Sequence, residues 1–156
     1  MKGNETVIEH LNARLAEELT AINQYMVHAE MCDSWNYSKL DEAIEKRAIN
    51  EMKHAEALIA RILFLEGRPI VSKLNKISIG AEVPDMHKND LEAELDAVRA
   101  YNESIRVAGD AGDDGTRELL QSILKDEEEH VDWLEAQLDQ IKQMGLPTYL
   151  AQQMGE

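Results

Sequence analysis

The chain has 156 residues, with 16 Lys and Arg against 31 Asp and Glu, so its formal charge is −15. That balance disfavours a nucleic-acid backbone as partner and favours cations, while 4 % aromatic residues and only three Pro suit helices better than strands. No run reaches membrane-spanning length, no apolar stretch follows Met1-Lys2-Gly3, and the single Cys32 cannot close a disulfide within the chain; one cytoplasmic domain over residues 1–156, with no membrane, is expected.

Asn4 or Thr6 can cap a first helix, along which Val7, Leu11, Leu15, Ile22 and Ala29 recur at helical spacing. Glu18 and Tyr25 fall on that same apolar stripe, and the helix should end near Trp35-Asn36. Ser38 or Asp41 starts a second helix running to Gly67-Arg68-Pro69, with Ile44, Ala48, Glu51, Ala55, Leu58, Ile62 and Leu65 facing inward. Residues 67–83 read as a long crossover. These seventeen residues can extend ~56 Å at ~3.3 Å each, against about 42 Å for the 28 residues of helix two. The third helix can therefore start parallel to the second. Pro84-Asp85 opens that helix, whose stripe includes Leu91, Glu94, Leu95, Val98 and Tyr101. After the loop-rich run from Gly109 to Gly115, Thr116 is expected to cap a fourth helix, with Leu120, Ile123, Glu127, Leu134 and Leu138 inward. Gly145-Leu146-Pro147 ends it, and a short fifth helix, Thr148 to Met154, follows. The expected fold is all-α: a four-helix bundle with a long crossover between helices two and three and a short C-terminal fifth helix.

The chain repeats itself at a fixed offset. The separations 94 − 18, 127 − 51, 130 − 54 and 101 − 25 all equal 76, relating Glu18 to Glu94, Glu51 to Glu127, His54 to His130 and Tyr25 to Tyr101. Glu51-Met52-Lys53-His54 and Glu127-Glu128-Glu129-His130 each place a Glu and a His on one helix face. Any one inward acid could be a mis-phased surface residue or half of a buried ion pair. Four together cannot be, because no Arg or Lys on these stripes is placed to pair with each; Arg14 and Arg47, at the edges, could serve one at most. Four carboxylates and two neutral imidazoles carry −4, which two divalent cations cancel. The oxygen and nitrogen donors suit iron, manganese or zinc.

Met52 lies about 100° from Glu51 on the helical wheel, with Ile49, Ile59 and Leu63. A helix with a second apolar flank usually meets a second partner, here plausibly another subunit, and by periodicity Met52 is an interface residue.

From end to end the chain resembles the bacterioferritins. The resemblance is carried by Ala21-Ile22-Asn23-Gln24-Tyr25, Asn50-Glu51-Met52-Lys53-His54-Ala55, Arg61-Ile62-Leu63-Phe64-Leu65-Glu66-Gly67, Asp126-Glu127-Glu128-Glu129-His130-Val131-Asp132-Trp133-Leu134-Glu135 and Met144-Gly145-Leu146. It implies a ferritin-like di-iron bundle in which Glu18 and His54 hold one iron, Glu94 and His130 the other, and Glu51 and Glu127 bridge. It also implies Tyr25 as a hydrogen-bonding or redox partner, Met52 as axial ligand of a haem b shared between two subunits, and Leu19, Ile22, Asn23 and Met26 as haem-pocket neighbours. The implied activity is oxidation of Fe²⁺ by O₂ or peroxide, with ferric mineral stored in a 24-subunit homo-oligomeric cage built from two-fold dimers. A small ferredoxin would supply electrons for iron release. Two readings stay beside this one: a non-haem ferritin in which Met52 only packs, and a structural cage subunit without oxidase activity. The chain departs from some family members at Lys46 and Asn50, where a His and an Asp can hold an additional iron; an auxiliary site there is not expected. His10, His28 and His87 read as surface or packing histidines, and Trp35 and Trp133 as interface or core anchors.

Overall fold

A computed structural model describes residues 1–155 and consists of five helices: α1 Glu5–Ser34, α2 Ser38–Phe64, α3 Val83–Asp110, α4 Asp114–Met144 and α5 Leu146–Gln153. No strand forms among the described residues, and none of their helices is long and apolar enough to cross a membrane. α1 packs along α2 and α3 along α4, and α1 meets α3 across the bundle.

The helix ends follow from local chemistry. The Asn4 side chain accepts from the Val7 amide at 3.1 Å and starts α1. At α4 the expected cap moves by three residues. Asp113 is the capping residue and accepts from the Thr116 amide at 3.0 Å, while Thr116 sits within the first turn and donates its hydroxyl to Asp113. A carboxylate there also suits the positive end of the helix dipole. Pro147 falls in the first turn of α5, which therefore begins at Leu146 rather than Thr148. Gly145 joins α4 to α5 at φ 81°, a conformation most side chains resist.

Two apolar clusters fill the bundle. One contains Val7, Leu11, Leu15, Leu58, Ile62 and Leu120; the other contains Tyr25, Ile44, Met86 and Tyr149. Glu18, Glu51, Glu94 and Glu127 fall between these clusters on their respective helices, so a polar layer interrupts the core. Exposure at these four residues is only 1–2 %.

The crossover, residues 65–82, has no regular structure, yet four of its amides are held by side chains of α1. Ile70 donates to Asn12 Oδ1 at 2.9 Å, Asn75 to Thr20 Oγ1 at 2.8 Å, Ser78 to Gln24 Oε1 at 3.0 Å and Gly80 to His28 Nε2 at 3.0 Å. Asn12, Thr20, Gln24 and His28 lie on one every-fourth-residue row of α1. That row serves the extended segment as a neighbouring strand would, by offering regularly spaced acceptors. His28 is thus fully buried, with a second bond from Nδ1 to Asp90 at 2.9 Å.

Candidate metal centre

Each of the four long helices brings one glutamate to the polar layer, and α2 and α4 each add a histidine one turn later. His54 Nδ1 lies 3.1 Å from Glu127, 3.4 Å from Glu18 and 3.7 Å from Glu51. His130 Nδ1 lies 3.2 Å from Glu51 and 3.4 Å from Glu94. Two overlapping groups result, Glu18–Glu51–His54–Glu127 and Glu51–Glu94–Glu127–His130, each with one donor atom per residue within 4.8 Å of the others. Glu51 and Glu127 belong to both.

The donor atoms fit a cation better than they fit one another. Glu18 Oε2, Glu51 Oε1, His54 Nδ1, Glu94 Oε2, Glu127 Oε1 and His130 Nδ1 are all buried without a hydrogen-bond partner, one from each of the six residues. The nitrogen–oxygen approaches are close enough to attract but not aligned as hydrogen bonds. Orphaned buried polar atoms are costly and rare, and six from the residues of two overlapping groups require something to receive their lone pairs. Neither candidate arginine serves: Arg14 pairs with Glu17 at 2.9 Å, and Arg47 lies 3.7 Å from Asp90, stacked between the rings of Tyr25 and Trp133.

Without a cation the layer shares protons. Burial, then the nearby Glu18 carboxylate, pushes Glu51 and Glu127 well above the usual carboxylate range. Glu94 goes the other way: burial raises it, but the adjacent Glu127 and His130 side chains and the hydrogen bond from Tyr25 outweigh that and hold it down to about 2. Burial alone would lower His54, yet the surrounding Glu127, Glu18 and Asp126 carboxylates lift it to about 11.

The two tyrosines cross between the halves. Tyr25 of α1 donates to Glu94 Oε1 of α3, and Tyr101 of α3 donates to Glu18 Oε1 of α1 at 2.6 Å. Burial and the adjacent carboxylates hold both phenols protonated, so each is a fixed donor. Tyr101 has the same claim to a place in the site as Tyr25, although only Tyr25 was expected from sequence; the 76-residue offset already paired them. Asp126, 2.7 Å from His54 Nε2, was not anticipated at all, since nothing in a linear sequence marks a contact between α2 and α4.

A cavity of about 170 Å³ opens between α1, α3 and the crossover and reaches all four glutamates, with Glu17, Asn75 and Asp96 along its wall. Burial pushes Glu17 up to about 7 against the lowering effect of Arg14. Met52 points elsewhere: it is 48 % exposed, beside the exposed Ile49, and Met26 is exposed on α1. Leu19, Ile22 and Asn23 are half-buried. Lys46 and Asn50 line a separate groove with Arg47, Asp126 and His130, where a protonated amine and an amide make poor iron ligands.

Comparison with known proteins gives the chain its family. The ferritin family, described as a ferritin-like domain, matches residues 8–144. The chain is 41 % identical to a bacterioferritin of Rhodobacter capsulatus, covering 93 % of this chain and 90 % of the relative. It is 40 % identical to a bacterioferritin of Streptomyces coelicolor, covering 97 % and 90 %. A bacterial ferritin of Paramagnetospirillum magnetotacticum is 41 % identical over all of this chain and 96 % of its own length.

Proposed function

The chain belongs to the bacterioferritins within the ferritin-like family, and from that membership we propose that it oxidises Fe²⁺ at the six-residue centre and stores the ferric product. The observation that carries the reading is the convergence of six orphaned donor atoms, one from each of Glu18, Glu51, His54, Glu94, Glu127 and His130.

Fe²⁺ reaches the centre through the acidic cleft between α1 and α3. Glu18 and His54 would hold one ion and Glu94 and His130 the other, with Glu51 and Glu127, which belong to both groups, shared between them. Glu51 and Glu127 give up protons as they bind, and His54 gives up its Nδ1 proton, so uptake releases acid. Tyr25 and Tyr101 hold the terminal carboxylates in place by hydrogen bonds, leaving one oxygen of each for iron. Iron held by these six residues would supply one electron from each ion, two in all, to peroxide or O₂. The carboxylates balance the ferrous pair without buried residual charge.

Haem b fits the outer face of α1 and α2. Met52 presents a half-exposed thioether on an apolar surface with Ile49, and Met26, Leu19, Ile22 and Asn23 stand on the adjoining helix. Met52 from each of two subunits would hold the haem, which would supply electron transfer between a ferredoxin and the store. The assembly consistent with family membership is a 24-subunit cage of two-fold dimers.

Stopped-flow measurement of Fe²⁺ oxidation tests the centre. Glu18→Ala and His130→Ala are each expected to remove the fast phase, and unchanged rates would leave only a structural cage subunit. A Soret band after haem supplementation, lost in Met52→Leu, is expected; its absence from the wild-type protein would leave a non-haem ferritin.

A further inference from the structure

The two halves of the centre differ in one respect that the internal repeat makes visible. His54 and His130 both turn Nδ1 inward, so each ring has an Nε2 pointing away from the donor cluster. His54 Nε2 meets Asp126 Oδ2 at 2.7 Å, across the gap between α2 and α4. The offset of 76 maps Asp126 onto Asn50. His130 has no corresponding hydrogen bond, and the Asn50 Oδ1 is buried without a partner. The His130 ring, with 15 % of its side chain exposed against 6 % for His54, lines a groove shared with Lys46, Arg47, Asp126 and Glu129. One histidine is backed by a hydrogen-bonded carboxylate and the other has no such partner.

We propose that Asp126 is a positioning residue that makes the two metal positions unequal, so that the Glu18–His54 position binds more tightly and fills first. This rests on the metal-centre reading given above. A carboxylate on the outer nitrogen of a ligating imidazole fixes its tautomer and ring orientation and increases electron donation from the inner nitrogen; losing such a partner typically weakens metal binding about 10–100-fold. At His130 the ring must choose its tautomer and angle without that help. Occupation of the first position then places a dication beside the shared Glu51 and Glu127 before the second ion arrives, giving an ordered sequence.

Anaerobic Co²⁺ titration of the assembled protein, followed by visible ligand-field absorption and calorimetry, tests this without any turnover. Wild type is expected to bind in two resolved steps. In crystals given less than one Co²⁺ per chain, anomalous density should concentrate beside His54. Asp126→Asn, nearly isosteric and at a partly exposed residue, is expected to weaken the first step about 10–100-fold. Asp126→Glu should restore part of that loss. Asn50→Asp is expected to strengthen the second step, a change that general destabilisation of the fold would not produce. Equal wild-type affinities, or a first step unmoved by Asp126→Asn, overturns the proposal while leaving the metal centre standing. No binding by the wild type, or binding indifferent to Glu18→Ala and His130→Ala, overturns the metal centre and this inference with it.

Discussion

At Glu51 the requirements of stability and of metal binding oppose each other. Its carboxyl is buried among three others and has lost its water, so the protonated form is favoured until a cation arrives. A folded-state pKa raised above the unfolded value favours folding at low pH, and that contribution is lost as pH rises through the folded value. Glu51→Gln should therefore stabilise the metal-free protein by about 1–3 kcal/mol, with a larger gain at pH 9 than at pH 6. Thermal unfolding at both pH values measures it, and the same variant should lose the stabilisation that added Co²⁺ gives the wild type. Metal affinity itself should rise with pH from acid through neutrality, because Glu51, Glu127 and His54 must all release protons; competitive titration between pH 5.5 and 8 reads this directly. The six donor residues were legible in the sequence because one offset relates two independent Glu-x-x-His motifs. Tyr101 obeyed the same offset and was passed over because a tyrosine on an apolar stripe reads as core. Asp126 was illegible, since its place on α4 reads as solvent-facing until α2 is packed beside it.

The elements that were hardest to read are held by polar side chains on helix faces. Thr20, Gln24 and His28 look like interruptions of the α1 stripe, and His28 reads as a surface or packing histidine. Their purpose emerges only with the crossover laid against them. Gly80, whose amide bonds His28 of α1, also presses against the start of α3, for a Cβ there would come 2.3 Å from the Met86 amide nitrogen. Gly80→Ala should cost more than 2 kcal/mol and speed hydrogen exchange at Ser78 and Gly80, since backbone rather than a flexible side chain must move. The fifth helix is latched by Tyr149, which accepts from His87 Nε2 at 3.0 Å and donates to Gln137 at 2.6 Å. Tyr149→Phe leaves both partners unsatisfied in a buried position and is expected to cost about 1–3 kcal/mol in chemical denaturation. Burial drives His87 down to about 4, against the raising effect of Asp90. A depressed pKa contributes stability above the unfolded value near 6.5 that is lost as pH falls through about 4. The latch should loosen over that window, visible as faster C-terminal proteolysis. The four long helices, by contrast, were legible from periodicity, and the only shift of substance was at α4, where Asp113 outcompeted Thr116 for the cap.

For the whole molecule, a charge of −15 and an acidic cleft give long-range attraction for cations. Cation capture should therefore slow as ionic strength rises, while the final occupancy of the buried centre changes little. Met26 on α1 and Ile49, Met52, Leu63 and Phe64 on α2 are exposed large apolar residues and are expected to be covered in solution by further subunits. The assembly was legible only through resemblance, because apolar residues outside a monomer's core do not say how many copies cover them. The central claim, that the polar layer is a two-iron centre, is tested most directly by anomalous diffraction at the iron edge from crystals soaked anaerobically in Fe²⁺. The account predicts two peaks per chain, one among Glu18, Glu51, His54 and Glu127 and one among Glu51, Glu94, Glu127 and His130. A single peak, or iron only at surface carboxylates with the layer empty, would contradict it.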